Sequence, residues 1–191
     1  MSKVKPQQLR IIGGIWRGRK IPVADIDGLR PTPDRIRETL FNWLALDCPG
    51  ASVLDCFAGS GVLGFEALSR TAKQLTMVER NPLAWSILRR QIERFESDAI
   101  TLLSGDVIKL IPEMKDQFDL VFIDPPYAMP QVRYQVINTL LEHQRLIDGA
   151  RIIIEWPLAE QFQLPVAELS WLKQKKAGRV NYGIAEWRLS R

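Results

Sequence analysis

From residue 52 onward the chain alternates short apolar runs with helical stretches, and that alternation leaves few folds open. Residues 52–56, 74–79, 99–103, 120–123 and 150–156 are runs of strand length, and the segments 61–70, 82–95, 107–114 and 132–146 between them read as helices. Strand–helix–strand repetition predicts parallel strands with helices packed on both faces. Two longer runs, 171–175 and 181–189, follow with no helix between them and predict an antiparallel hairpin at the sheet edge. The expected fold is α/β and Rossmann-like: a mostly parallel seven-stranded sheet closed by an antiparallel C-terminal hairpin.

The first strand-to-helix junction is rich in glycine. Within Asp55-Cys56-Phe57-Ala58-Gly59-Ser60-Gly61-Val62-Leu63-Gly64 the glycines have the G-x-G-x-x-G spacing, which permits a tight turn and close approach of backbone to a ligand. Glu79 ends the next strand, well placed for two ribose hydroxyls. To this point a nicotinamide dinucleotide and S-adenosylmethionine fit equally. Asp55 separates them. A carboxylate just before the loop would face a dinucleotide's pyrophosphate, whereas S-adenosylmethionine has no phosphate and carries an ammonium and a sulfonium. Ser104-Gly105-Asp106, after the third strand, offers a further acceptor suited to the adenine amine. The candidate set for this cofactor is Asp55, Phe57, Ala58, Gly59, Ser60, Gly61, Glu79, Arg80, Asp106 and Val107.

The fourth run ends on Asp124-Pro125-Pro126-Tyr127. Two prolines stop the strand and turn the chain rigidly, leaving Asp124 at the carboxyl edge, where open α/β sheets place their ligands. The Asp124 carboxylate and a proline carbonyl can accept both N–H groups of a nucleobase amine, and the Tyr127 ring can stack on the base. An Asp that merely caps a turn, beside a Tyr used for packing, is the plainer reading. The glycine loop on a strand predicted to be adjacent favours the first, because a methyl donor and an amine would then meet.

Charge is unevenly spread. Residues 1–40 hold nine Lys/Arg against four Asp/Glu and residues 170–191 hold six against one, so the stretch between them is net acidic. Basic ends on an acidic centre suggest a bound polyanion. Residues 9–12 and 20–23 flank a Gly/Arg-rich turn, a predicted hairpin whose Arg10, Trp16, Arg17, Arg19 and Lys20 are candidate RNA contacts; Trp16 equally suits a lid on the core. Thr32-Pro33 reads as an N-cap with proline at the first helical position. The expected division is a basic arm over 1–31 and a main domain over 32–191. Two cysteines, a lone His143, no signal-peptide pattern and no long apolar span lead to the expectation of a soluble, cytoplasmic, monomeric protein with no metal site.

Taken together these residues resemble the bacterial 16S rRNA guanine-N2 methyltransferase family, written RsmD. The resemblance runs through Arg10-Ile11-Ile12-Gly13-Gly14, Trp16-Arg17-Gly18-Arg19, Leu29-Arg30-Pro31-Thr32, Asp34-Arg35, the run from Arg37 to Trp43, the run from Leu54 to Gly64, the run from Glu66 to Arg70, and Asp124-Pro125-Pro126-Tyr127. It implies a class I methyltransferase acting on N2 of one guanine in the small ribosomal subunit or its assembly intermediate. Asp124, Pro125, Pro126 and Tyr127 would sit at the acceptor amine, and Arg30, Thr32 and Arg37 would form a lead-in touching cofactor or RNA. The rival readings are a DNA adenine or cytosine amino-methyltransferase and a non-catalytic RNA-binding assembly factor.

Overall fold

A computed structural model describes residues 8–24, 26, 32–126 and 129–189. The chain opens with β1 (Gln8–Arg10) and β2 (Lys20–Pro22), then α1 (Asp34–Trp43), β3 (Ser52–Asp55), α2 (Val62–Ser69), β4 (Gln74–Glu79), α3 (Pro82–Phe95) and β5 (Ile100–Ser104). It continues through α4 (Val107–Leu110), a 3-10 turn at Ile111–Glu113, β6 (Phe118–Ile123), α5 (Gln131–Glu142), β7 (Leu146–Pro157), β8 (Leu169–Ala177) and β9 (Val180–Trp187). Seven strands form one sheet in the order β5-β4-β3-β6-β7-β9-β8, and β1 pairs with β2 alone. The five strands from β5 to β7 are parallel, and β9 runs antiparallel to both of its neighbours. The predicted Rossmann-like fold, a mostly parallel seven-stranded sheet with an antiparallel C-terminal hairpin, is the observed one.

Burial explains the order. Strands β3 and β6 are apolar on both faces and sit centrally, while β8 exposes Lys173, Lys175 and Lys176. Lysines on an edge strand discourage pairing with other chains. The last strand in sequence, β9, is therefore inserted between β7 and β8, because its buried Tyr182, Ile184 and Ala185 need cover that an edge does not supply. Among the described residues, no helix is long and apolar enough to cross a membrane.

Two boundaries differ from the sequence reading. The helix expected over 132–146 stops at Glu142, since Gln144 takes a positive φ of 53° and Leu146 already begins β7. An apolar residue one turn past a helix end keeps the helical period going on paper only. Thr32 is not the cap of α1; Pro33 holds that position and its carbonyl accepts the N–H groups of Ile36 and Arg37. By contrast, the Asn81 side chain caps α3 as its sequence suggests, accepting from Leu83 and Ala84 with Pro82 in the first turn.

The N-terminal hairpin is built into the main core. Ile11 and Ile21 are each 1% exposed and share a cluster with Val53, Phe65 and Phe122. Its turn is fastened to the last residues of α2: Ile15 N–H donates to the Ser69 carbonyl at 2.8 Å, Trp16 N–H to Ser69 Oγ at 2.9 Å, and Ser69 Oγ to the Gly13 carbonyl. Gly14 takes a φ of +76° here, and a Cβ on it would stand 1.8 Å from the Ser69 carbonyl oxygen, so only glycine fits. Gly14→Ala should accordingly release the turn and lower the melting temperature by several degrees, readable by differential scanning calorimetry.

Candidate active site

The sheet's strand order reverses between β3 and β6. From β3 the chain works outward to β4 and β5, then returns to β6 on the other side of β3. Loops leaving the carboxyl ends of these two strands diverge, and the gap between them is where such sheets bind ligands. A cleft of about 890 Å³ opens there. That volume is at the upper end for small-molecule sites, enough for a nucleoside-sized cofactor with space beside it.

Each strand end delivers a carboxylate. Asp55 ends β3, Glu79 ends β4, Asp106 follows β5, Asp124 follows β6, and Glu155 lies near the end of β7; all five line the cleft. Glu79 Oε2 accepts the Gly59 N–H at 2.7 Å and Oε1 accepts the Asn81 N–H at 2.6 Å. Those bonds lock the carboxylate and the glycine turn together. Each Glu79 oxygen has a second lone pair for a diol. Asp106 Oδ1 accepts from the Ile108 N–H at 3.0 Å, capping α4. Gly61, at φ +74°, starts α2; a Cβ there would stand 2.5 Å from Leu88 Cδ2.

Nine of the ten cofactor candidates line the cleft: Asp55, Phe57, Ala58, Gly59, Ser60, Glu79, Arg80, Asp106 and Val107. Gly61 lies behind them and shapes the turn. Asp124, Pro125 and Pro126 line the same cleft, so the glycine loop and the proline turn face one another across it. Tyr127 and Arg30 lie outside the described residues.

Register places three of the carboxylates side by side. Asp55 pairs with Phe122, and Asp124 lies two residues beyond on the same face. Ile123 pairs with Ile154, so the next residues, Asp124 and Glu155, are neighbours on that face too. Electrostatics follows from this crowding. Burial pushes the Asp55 carboxyl up to about 7, with the Glu79 charge adding to it and N–H groups of Gly64 and Phe57 opposing. Asp124 is raised well above the usual carboxylate range by burial first, then by Glu155 and Asp55, against a hydrogen bond from Thr32 and the charge of Arg133. Among the described residues, no group of three or more His, Cys, Asp or Glu side chains is arranged to hold a metal ion.

Thr32 and Glu155 were missed as partners of Asp124. Glu155 had a signal: Ile152-Ile153-Ile154-Glu155 is an apolar run ending on a carboxylate, as at Asp55, Glu79 and Asp124. The resemblance puts Thr32 in a lead-in touching cofactor or RNA, but its hydrogen bond to Asp124 spans 92 residues of sequence, which no local pattern signals.

The basic candidates divide. Arg17, Arg19 and Lys20 are exposed, and Arg10 is exposed with an ion pair to Asp34 at 3.6 Å. Trp16 is half-buried, its ring packed on Phe95 at 4.5 Å as a lid on the core would be, with part of its surface still facing solvent. Arg37 is a correction. It is fully buried, donating to Glu66 at 2.5 Å, Asp34 at 2.6 Å and the carbonyls of Arg10 and Thr32, so RNA cannot reach it. The hairpin turn backs onto the end of α2 farthest from the cleft, since α2 starts at the glycine loop.

Comparison with known proteins agrees with this architecture. The family described as Conserved hypothetical protein 95 matches residues 9–186. Ribosomal RNA small subunit methyltransferase D of Escherichia coli is 40% identical over 177 residues, covering 93% of this chain and 89% of its own. The chain belongs to the RsmD family. The solved structure of yhhF from Escherichia coli superposes on this family member with a TM-score of 0.86 at 36% identity, over 95% of this chain and 99% of the other. A more distant fold relative, SMU.776, was solved in complex with SAH; it is 15% identical, with a TM-score of 0.70 over 97% of this chain and 57% of its own.

Proposed function

We propose that this RsmD-family protein transfers a methyl group from S-adenosylmethionine to the exocyclic N2 of a guanine in 16S rRNA of the small ribosomal subunit or its assembly intermediate. The observation that carries the reading is the shared cleft. A nucleoside-binding glycine loop on β3 and an amine-accepting proline turn on the adjacent β6 line it together. The donor set fits the cofactor. Glu79 suits the ribose diol, Asp106 the adenine amine, and Asp55 the cationic end, while the crowded carboxylates repel a phosphate-bearing dinucleotide.

The bound cofactor supplies a methyl carbon made electrophilic by its attachment to a sulfonium. The chain's own residues position the amine and tune its electrons. Asp124 and a carbonyl of Pro125 or Pro126 take the two N2–H groups, turning the nitrogen lone pair toward the donor. Tyr127 stacks on the base once it leaves its helix. The amine, methylated as the carbon–sulfur bond breaks, would then give up a proton, which Asp124 or water would accept. A carboxyl whose proton affinity is raised by burial and by its neighbours is suited to accept it. In this reading residues 1–31 contact RNA through Arg10, Arg17, Arg19, Lys20 and Arg30, and residues 32–191 carry out transfer.

The test is incorporation of a tritiated methyl group. Small subunits lacking the modification should be labelled, with N2-methylguanosine as the product by nucleoside mass spectrometry. Label in duplex DNA instead, or none in either substrate, would overturn the proposal.

Asp55 makes cofactor binding pH-dependent. In the empty cleft its carboxyl titrates at about 7, and a cationic partner favours the ionised form. Affinity should therefore rise by about tenfold between pH 6 and 8, with proton release on binding near pH 7. Calorimetry in buffers of different ionisation enthalpy reads both effects, and Asp55→Asn should flatten the profile. The same raised pKa means the empty protein loses stability as pH climbs from about 4 toward 7, because the unfolded chain gives up this proton first.

A further inference from the structure

We infer that Glu155 is the residue that selects guanine, by accepting the N1–H of the base whose N2 is held by Asp124. The inference rests on the guanine-N2 reading above and extends it to the base's edge. Guanine presents two adjacent kinds of donor on that edge, N1–H and the N2 amine. Adenine and cytosine also present an amine, but the ring nitrogen beside it is an unprotonated acceptor. An amine-binding proline turn alone cannot tell these bases apart. A second acceptor placed beside the first can, because it meets a hydrogen on guanine and a lone pair on the other two.

Glu155 has that placement. It lies one residue beyond the Ile123–Ile154 pair on β7, directly beside Asp124 and on the same face of the sheet. It lines the cleft together with Asp124, Pro125 and Pro126. Its charge is felt at Asp124 more strongly than that of any other residue there, ahead of Asp55 on the opposite side. The order across the cleft is therefore Asp55 at the cofactor, Asp124 at the amine and Glu155 beyond the amine. The Glu155 charge raises the cost of ionising Asp124, and donors on the base offset that cost. A base with a ring lone pair at that point would add to it.

The experiment uses 2-aminopurine, which keeps the N2 amine and lacks both N1–H and O6. The modified guanosine is mapped by mass spectrometry, and small-subunit rRNA carrying 2-aminopurine at that position is prepared by splinted ligation. Methyl transfer and RNA binding are measured on both RNAs with the parent protein and with Glu155→Gln, whose amide can donate to an unprotonated N1. The parent should prefer guanine by at least about tenfold in kcat/KM. Glu155→Gln should bring the two RNAs to within about threefold, chiefly by gaining on 2-aminopurine, a gain that a misfolded variant cannot produce. If Glu155→Gln turns over neither RNA, the ratio of binding affinities is read in its place. An unchanged ratio would assign the selection to O6 contacts and overturn the role of Glu155, as would a parent that accepts both bases equally. A parent that forms no N2-methylguanosine refutes the guanine reading itself, and that outcome is distinct from the other two.

Discussion

Asp124→Ala is expected to lower the single-turnover rate of methyl transfer by about 10²–10³-fold while cofactor affinity changes little. The carboxylate is the acceptor that aims the nitrogen lone pair, and the two prolines that follow it line the cleft without a side-chain acceptor to replace it. Asp55, which the cofactor's cationic end would meet, is held up by burial and by the Glu79 charge rather than by Asp124, so the cofactor should stay about as well held. Folding is not the expected cause of inactivity, since burying a carboxyl among carboxyls does not favour the native state. Asp124→Asn keeps one acceptor oxygen and should fall between the parent and the alanine variant. A rate for Asp124→Ala within tenfold of the parent, with rapid-quench mixing at saturating cofactor, would show that the proline carbonyls suffice and that Asp124 is structural.

The second large effect is on stability. Arg37→Met should cost about 3–5 kcal/mol in denaturant unfolding, and roughly 10 °C in melting temperature for a chain of this size. Arg37 and Glu66 are both fully buried. Glu66 accepts from Arg37, from Arg70 and from the Ile12 N–H at 2.7 Å, while Arg37 reaches the carbonyls of Arg10 and Thr32. One pair of side chains thus joins the hairpin, α1 and α2. Removing the cation leaves a buried carboxylate short of a partner, which costs more than the pair itself contributes. Arg37→Lys should rescue only part, because one ammonium cannot replace a planar fork bonded in several directions. Arg37→Met combined with Glu66→Leu should recover some of the loss. Transfer should suffer as well, since Thr32 bonds Arg37 through its carbonyl and Asp124 through its side chain. A melting temperature within 2 °C of the parent would remove this network from the stability account.

The parallel sheet, its seven strands and the edge hairpin were legible because strands buried on both faces are near-continuous apolar runs, as in Leu120-Val121-Phe122-Ile123. Strand ends were equally plain. Each apolar run that closes on a carboxylate marks a point where the chain leaves the core for the ligand edge, and Asp55, Glu79 and Asp124 were found in that way. Glu155 follows the same rule and was passed over, because the run 150–156 was read only as a strand, through its end at Trp156.

Charge was the poorer guide. Arginine composition says that an arm is basic, not which way a given guanidinium points. Arg17 and Arg19 face solvent; Arg37, twenty residues after Arg17, is sealed inside by Glu66, a residue from a different helix. Trp16 met the same ambiguity, and the ring it packs on, Phe95, lies 79 residues further along the sequence. Local pattern thus determined the elements, the fold class and the two motifs that face the cleft, because periodicity and turn chemistry act over a few neighbouring residues. Only the tertiary structure decided which carboxylates crowd together and which arginines are spent on the core, because those outcomes depend on strand register and helix packing between segments far apart in the chain.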